Sequence, residues 1–426
     1  MLNFSHFLIE MAAASSSESS DDKGKLHEIL LAKHLNPLGA LPLHHRAEAD
    51  IYGDKSEGGT PEQVHNKLKA RISEAAYKEI DSHAKQTAAA LLSHLEKNEF
   101  DRKHIDTVHW TSNRDTAKKP GDHEKTTGIR DPNANADLIL SYKHPKTGEV
   151  RHVGVSAKYG TGEQPNYRND GLASLEQKSA LAPGTLTKIQ KEHDQDMADR
   201  LGYTGTKEER HKQFKIGRAL KSKERDAWKK AGGNNKTFQP VSDESKRARA
   251  AEDASVNARK KMARLLDGGF GRMDDEQLRN FIRGQVSPPT KIYHVVAHSH
   301  VQDDGSAISK VGDMDKIADS HLDQFKNIRV KRGNGINVQF VGDYNGKERP
   351  VAQQILKTGS GPVKGSAGAF TLVSIPKKLA NAAGAILPGK TPSLTKPKPK
   401  TEPKQTSNEL FGRQVHADHE IYQGHA

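Results

Sequence analysis

The chain has 426 residues, of which 33% are hydrophobic and 5% aromatic, and its formal net charge is +13. A mean hydropathy of −0.83 and a pI near 9.5 leave too little apolar material to pack the whole length densely, so a compact core with solvated helices and disordered ends is expected. The lack of cysteine excludes disulfides, iron–sulfur clusters, thiolate zinc sites and a cysteine nucleophile, and no apolar run approaches the roughly 20 residues that span a bilayer.

In chain order, the start (MLNFSHFLIEMAAASSS) has no basic n-region and does not read as a secretory signal. Residues 1–22 are expected to be a flexible leader, small and polar over 11–22. A helix is predicted from Lys23 to about Leu35, with Leu26, Ile29, Leu30 and Leu31 on one face and Asn36-Pro37 as its stop. A second helical stretch covers about Pro61–Asn98, from the spacing of Val64, Leu68, Ile72, Ile80, Ala84, Leu91 and Leu95.

Between Val108 and Lys158 the period becomes that of strands. Two apolar runs, 137–142 and 150–157, flank the turn His144-Pro145-Lys146-Thr147-Gly148-Glu149, which predicts a β-hairpin. A helix follows from about Gly171 to Leu181. Residues 186–285 read as a basic helical insertion, charged and poorly packed. Between Lys207 and Arg264 there are 18 Lys/Arg against 8 Asp/Glu, a net of +10 out of the total +13.

Strands resume at Lys291–Val301, Ile328–Lys331, Ile336–Gly342 and Ala369–Ile375. Residues 286–385 therefore either complete the core formed by 23–185 or make a second domain. Residues 386–426 are expected to be a Pro/Lys-rich linker and tail.

If Tyr142 faces Arg151 in the hairpin, then Asp137 faces Ser156. Period-two alternation puts Ser156 and Lys158 on one face. A carboxylate, a hydroxyl and an ammonium then converge at one end of an apolar hairpin. That trio suits phosphodiester hydrolysis: the carboxylate holds a divalent cation, and the lysine positions water and offsets developing charge. The same residues also admit a plainer account, in which Asp137 ends a turn-rich segment and Lys158 is an ordinary exposed lysine.

ADLIL, a short turn and VGVSAKYG resemble the PD-(D/E)xK nuclease superfamily, in its restriction-endonuclease-like SxK form. The resemblance covers about residues 23–181. It implies a mixed central α/β sheet flanked by helices and a Mg²⁺ (or Mn²⁺) cofactor. The catalytic set it implies is Asp137, Ser156, Lys158, Glu176 and Glu28. Asp137 and Glu176 would hold metal, with Glu176 as an acid relocated to the helix after the hairpin. Glu28 matches a glutamate on the helix before the sheet, and is otherwise a solvent-facing helical residue. Ala136 replaces the signature proline, a common change in the family, and the hairpin is shorter than SxK enzymes tend to have, which anchors Glu176 less firmly than Asp137 and Lys158.

Other groups carry two readings each. His294, His298 and His300 share one strand face, to bind metal or to line a polar or DNA-facing surface. Glu163 lies in the loop after Lys158, near catalysis or DNA. Lys221, Lys223, Arg225, Lys229 and Lys230 belong to a DNA clamp or to a solvated arm, with Phe214, Trp228 and Phe238 stacking on bases or anchoring it.

Separately, Asn3–Glu10 resembles the leaders of T4-like phage head proteins, with Leu8-Ile9-Glu10 matching their cleavage tripeptide. The expected activity is a metal-dependent DNA endonuclease. The alternative is a non-catalytic DNA-binding protein packaged in a phage head. DNA is the expected partner and a membrane is not. Association with a second copy or a phage capsid is compatible with the chain, as is a place in the host cytoplasm or the virion head.

Overall fold

The computed structural model describes residues 20–35, 43–44, 61–110 and 136–373, apart from Pro145, Lys291, Asn334 and residues 359–365. The leader, its Leu8-Ile9-Glu10 tripeptide and the Pro/Lys-rich tail lie outside the described residues. The fold is a mixed α/β arrangement of two sheets with helices against them.

Helix α1 spans Ser20–Leu35. Leu26, Leu31 and Leu35 on it have no exposed area, which at about 2 kcal/mol per buried leucine is what holds so polar a helix to the sheet. The predicted long helix divides into α2 (Pro61–Ala70) and α3 (Glu74–Glu96). Ser73 makes the break: its hydroxyl accepts the Ala76 N–H and caps α3. Ile80, Ala84, Ala88, Leu91 and Leu95 then form the buried stripe of α3.

The first sheet contains β1 (Leu43–His44), β2 (Ile105–Trp110), β3 (Leu138–Lys143), β4 (Val150–Gly160), β6 (Tyr293–Val301) and β7 (Ala307–Asp313), in that spatial order. The β1–β2 and β4–β6 pairs are parallel and the others antiparallel. Leu138, Leu140, Tyr142, Val153, Val155, Ala157, Val295 and Ala297 form one face and bury against α1, α2 and α3. The alternate residues, Asp137, Ser156 and Lys158 among them, therefore face the other way.

That second face meets the rest of the molecule. Strands β5 (Arg168–Asp170), β8 (Lys326–Lys331), β9 (Asn337–Tyr344), β10 (Lys347–Thr358) and β11 (Ser366–Leu372) form an antiparallel sheet of order β5-β11-β10-β9-β8. Its core includes Phe340 and Phe370, Met262 and Phe270 of α7 (Asp243–Phe270), Ile282 of α8 (Asp275–Val286) and Met314 of α9 (Met314–Leu322). Val296 of β6 belongs to the same cluster, so the first sheet and this core are continuous. The strands after residue 286 thus divide: β6 and β7 complete the first sheet, while β8 to β11 build the second. All described residues fall within one compact unit.

Residues 186–283 are helical, as expected, but not poorly packed. Short α4 (Leu172–Lys178) leads to α5 (Thr185–Asp199), then α6 (Lys207–Lys230) and α7 pair as a long hairpin. Met197, Tyr203, Phe214, Ala248 and Ala251 make its own small core. The arm is charged because its outer surface is solvated, and it is held because α7 continues into the main core.

Gly217 is where α6 and α7 approach most tightly. A Cβ there would lie 2.5 Å from the Glu244 carbonyl oxygen and 3.0 Å from the Ala248 Cβ. Glycine weakens a helix interior by about 1 kcal/mol, so its presence reflects the close contact. Gly217→Ala should separate the helices at a cost of about 1–3 kcal/mol. Hydrogen exchange should accelerate at the amides of α6 and stay unchanged in β3, β4 and β6. Unaltered exchange in α6 would show that the helices do not approach this closely.

Candidate active site

The hairpin of β3 and β4 pairs Leu138 with Val155 and Tyr142 with Arg151, the register expected from the sequence. The ladder ends at the Leu138–Val155 pair: the Asp137 N–H, just beyond it, donates to the Val155 carbonyl at 2.9 Å. Two local features hold it. The turn closes with His144 N–H to Glu149 O at 2.8 Å and Gly148 N–H to His144 O at 2.9 Å. Gly154 fits beneath Ile292, His294 and Ala136, which a Cβ would meet at 3.0 to 3.2 Å.

Asp137 and Ser156 are buried and Lys158 is half-buried. The Lys158 ammonium donates to Asp137 Oδ2 at 3.0 Å, and the Ser156 hydroxyl approaches the same oxygen at 3.5 Å. The ion pair is mostly shielded, with 23% of the lysine side chain and 5% of the aspartate exposed. Removing either partner from such a pair leaves an uncompensated charge.

Glu28, on α1, lies close enough to interact electrostatically with Asp137 and Lys158. The Trp110 indole N–H, at the end of β2, donates to Glu28 Oε2 at 3.2 Å, and Trp110 pairs with Leu138, next to Asp137. Burial, aided by the Asp137 charge and opposed by Lys158, pushes the Glu28 carboxyl up to about 8. Two carboxylates and one ammonium thus share a site in which one acid keeps its proton. Glu28 is therefore not a solvent-facing helical residue.

The orientation of α1 is set one residue earlier. His27 Nε2 meets the Ser299 hydroxyl at 2.8 Å, Ser299 meets Thr87, and Thr87 meets Ser309 at 3.0 Å. This buried chain ties α1 to α3, β6 and β7. The His27 ring lies 4.9 Å from that of Tyr159. Burial lowers the His27 pKa to about 3, with His83 and His298 adding to the effect, so it links these elements as a neutral group.

Glu176 does not join Asp137. Its carboxylate accepts the N–H groups of Gly184 (2.8 Å), Leu186 (2.6 Å) and Thr187 (2.9 Å), and the Thr187 hydroxyl at 3.4 Å. Burial works to raise its pKa, but these hydrogen bonds outweigh it and hold the carboxyl below its usual range. The reason is local. Gly184 is the N-cap of α5 and has no side chain to offer, so Glu176 supplies the missing acceptor from α4. Glu176 thus caps α5 and is not the relocated acid beside Asp137.

The other expectations divide. His294 and His298 are buried and His300 is half-buried. Among the described residues no group of three or more His, Cys, Asp or Glu could hold a metal ion, so a histidine zinc site is not formed there. Glu163 is exposed, and its carbonyl accepts from Lys310 at 2.7 Å. On α6, Lys223, Arg225, Lys229 and Lys230 are exposed, whereas Lys221 pairs with Glu252. Phe214 and Phe238 are buried and anchor the arm. Trp228 is 43% exposed, with its indole N–H bonded to Asn234 O at 3.1 Å and its ring over Gly233. Nothing in the sequence pointed to Trp110 in this neighbourhood, whereas the parity of His294, His298 and His300 had already set His298 on a polar face.

Glu176→Ala should leave three backbone N–H groups without their acceptor and lower the urea-unfolding free energy by about 1–3 kcal/mol. Glu176→Gln keeps one acceptor oxygen and should cost less. A neutral alanine variant would remove the capping role.

No family model and no curated protein matches the chain. Among solved structures it is similar to "restriction endonuclease MspI in complex with its cognate DNA", at 13% identity over 70% of this chain and 82% of that one, with a TM-score of 0.29.

Proposed function

We propose that the protein is a divalent-metal-dependent nuclease that hydrolyses DNA phosphodiester bonds, acting as an endonuclease. The observation that carries this reading is the Lys158–Asp137 pair at 3.0 Å, with the Glu28 carboxyl held next to it by Trp110.

The residues present fit Mg²⁺ or Mn²⁺. Glu28 and Asp137 are hard oxygen donors whose mutual repulsion a divalent cation would relieve. Mg²⁺ sites commonly use one or two carboxylates and fill the remaining positions with water and phosphate, so a third protein acid is not required. When bound, such a cation would neutralise phosphate charge and lower the pKa of a coordinated water.

The chain's own groups do the rest. Asp137 and Glu28 hold the cation. Ser156 and the backbone bond to Val155 keep the Asp137 carboxylate in place. Lys158 keeps a positive charge beside Asp137, where it orients the attacking water and offsets charge developing on the phosphoryl oxygens. The exposed cations of α6 serve as a contact surface for the DNA backbone.

Asp137→Asn and Lys158→Ala should each lower Mg²⁺-dependent cleavage of supercoiled plasmid by about two to three orders of magnitude while DNA binding persists. Wild-type cutting by both variants would exclude the hairpin as the active site. Equal DNA binding in EDTA, with no cleavage by the wild type under Mg²⁺ or Mn²⁺, would favour a non-catalytic DNA-binding protein.

A second consequence concerns protons. Below a pH of about 8 the cation-free Glu28 keeps its proton, so cation uptake has to release it and apparent affinity should rise with pH up to that value. Calorimetric titration of Mg²⁺ at pH 7, in buffers of different ionisation heat, should show release of about one proton. Glu28→Gln should abolish that release. A wild type that takes up Mg²⁺ without proton release would mean that Glu28 is ionised before the cation arrives.

A further inference from the structure

The ladder that carries Ser156 and Lys158 continues across the sheet. Lys158 pairs with His298 in the parallel β4–β6 ladder, and His298 pairs with Lys310 in the antiparallel β6–β7 ladder. Paired residues point to the same face, so Lys158, His298 and Lys310 form a row leading away from Asp137 towards the sheet edge. Strands lie about 4.8 Å apart, which puts the two lysine backbones roughly 10 Å apart with an imidazole between them.

His298 is the unusual member. It is 3% exposed, and its Nδ1 is fully buried with no hydrogen-bond partner among the described residues. Nε2, also without a hydrogen bond among those residues, is the nitrogen left to meet the site. Burial, with Lys310, His300 and Lys158 nearby, keeps the ring neutral down to a pH of about 3. A buried polar group left unpaired costs free energy that the fold does not recover internally.

The surroundings limit what could pair with it. Two ammonium groups flank the ring, and the nearby loop is fixed by Lys310 Nζ to Glu163 O at 2.7 Å and by His300 Nδ1 with Gly162 O at 2.9 Å. A metal ion finds no cluster of His, Cys, Asp or Glu there among the described residues. An anion finds two cations and a neutral N–H donor in line.

We infer that His298, with Lys158 and Lys310, forms a subsite for a second phosphate of the nucleic-acid strand, next to the phosphate being cleaved. The strand would then cross the sheet from β3 towards β7. This assignment rests on the nuclease reading for the position of the first phosphate.

The test compares binding of deoxythymidine 3′,5′-bisphosphate and deoxythymidine 5′-monophosphate to the full chain in excess Mg²⁺, by calorimetry. Wild type should prefer the bisphosphate by about tenfold or more. His298→Ala should erase most of that preference, and His298→Asn, which keeps an N–H donor, should restore part of it. Lys310→Ala alters a half-buried edge residue, so it provides a second variant should His298→Ala fail to fold, and it should also reduce the preference. No preference in the wild type, or full preference in a folded His298→Ala or in Lys310→Ala, would overturn the subsite. Plasmid cleavage on the same preparations separates the two ideas: cutting without the preference rejects the subsite alone, and the preference without cutting rejects the nuclease reading alone.

Discussion

Side chains alternate along a strand, so the pairing of Leu138 with Val155 commits Asp137, Ser156 and Lys158 to one face and Leu138, Val155 and Ala157 to the other. A slip of one residue would exchange those faces, placing the carboxylate in the apolar core and the leucines in the cleft. The core under α1 and α3 therefore protects the polar cluster above it, because any register that scatters Asp137 and Lys158 also exposes Leu138, Leu140 and Val153. Gly154 narrows the choice further, since a Cβ in its place beneath Ile292, His294 and Ala136 would crowd all three at 3.0 to 3.2 Å.

Electrostatics explains why the arrangement is poised for a cation. Lys158 satisfies one oxygen of Asp137, and Trp110 satisfies one oxygen of Glu28. With the cation absent, burial and the neighbouring aspartate leave Glu28 protonated near neutral pH, which limits the repulsion. On the proposed reading, a divalent ion held by Glu28 and Asp137 would take the place of that proton and allow both carboxylates to ionise.

The parts of the site that depend on local pattern were legible in the sequence. Two apolar runs about a Pro/Gly turn specify a hairpin, the hairpin specifies its register, and the register brings Asp137 to Lys158. Glu28 was named through the family resemblance, as the one acid among the apolar residues of α1, and the structure bonds it to Trp110. What escaped depends on pairing over distance. Glu176 lies on a helix of suitable placement, but the segment Ala182-Pro183-Gly184-Thr185 starts a new helix at a glycine N-cap, and that orphan cap captured it. Two strands, β7 and β10, were also missed, although each follows a turn with glycine in the left-handed region, Asp304-Gly305 and Asn345-Gly346. Asn-Gly and Asp-Gly are strong hairpin signals. The polar residues of β7 and β10, Ser309 and Lys310, and Gln353 and Gln354, masked the alternation that normally accompanies them.

The insertion of β6 beside β4 gives the site its second dimension. A hairpin alone can present one line of groups, from Asp137 to Lys158. A parallel neighbour arriving from the far end of the α6–α7 arm adds a ladder in which Lys158 has a lateral partner, and β7 extends that ladder to the sheet edge. Chemistry along the strand and recognition across it can then be tuned separately. On the proposed reading, changes at Glu28 or Asp137 would alter what holds the cation, whereas changes at His298 or Lys310 would alter what the neighbouring phosphate meets. Val296 ties the two together. It lies in register with Ser156 and packs into the core shared by α7, α8, α9 and the second sheet, so the lobe that carries the basic arm is anchored to the same strand that carries His298.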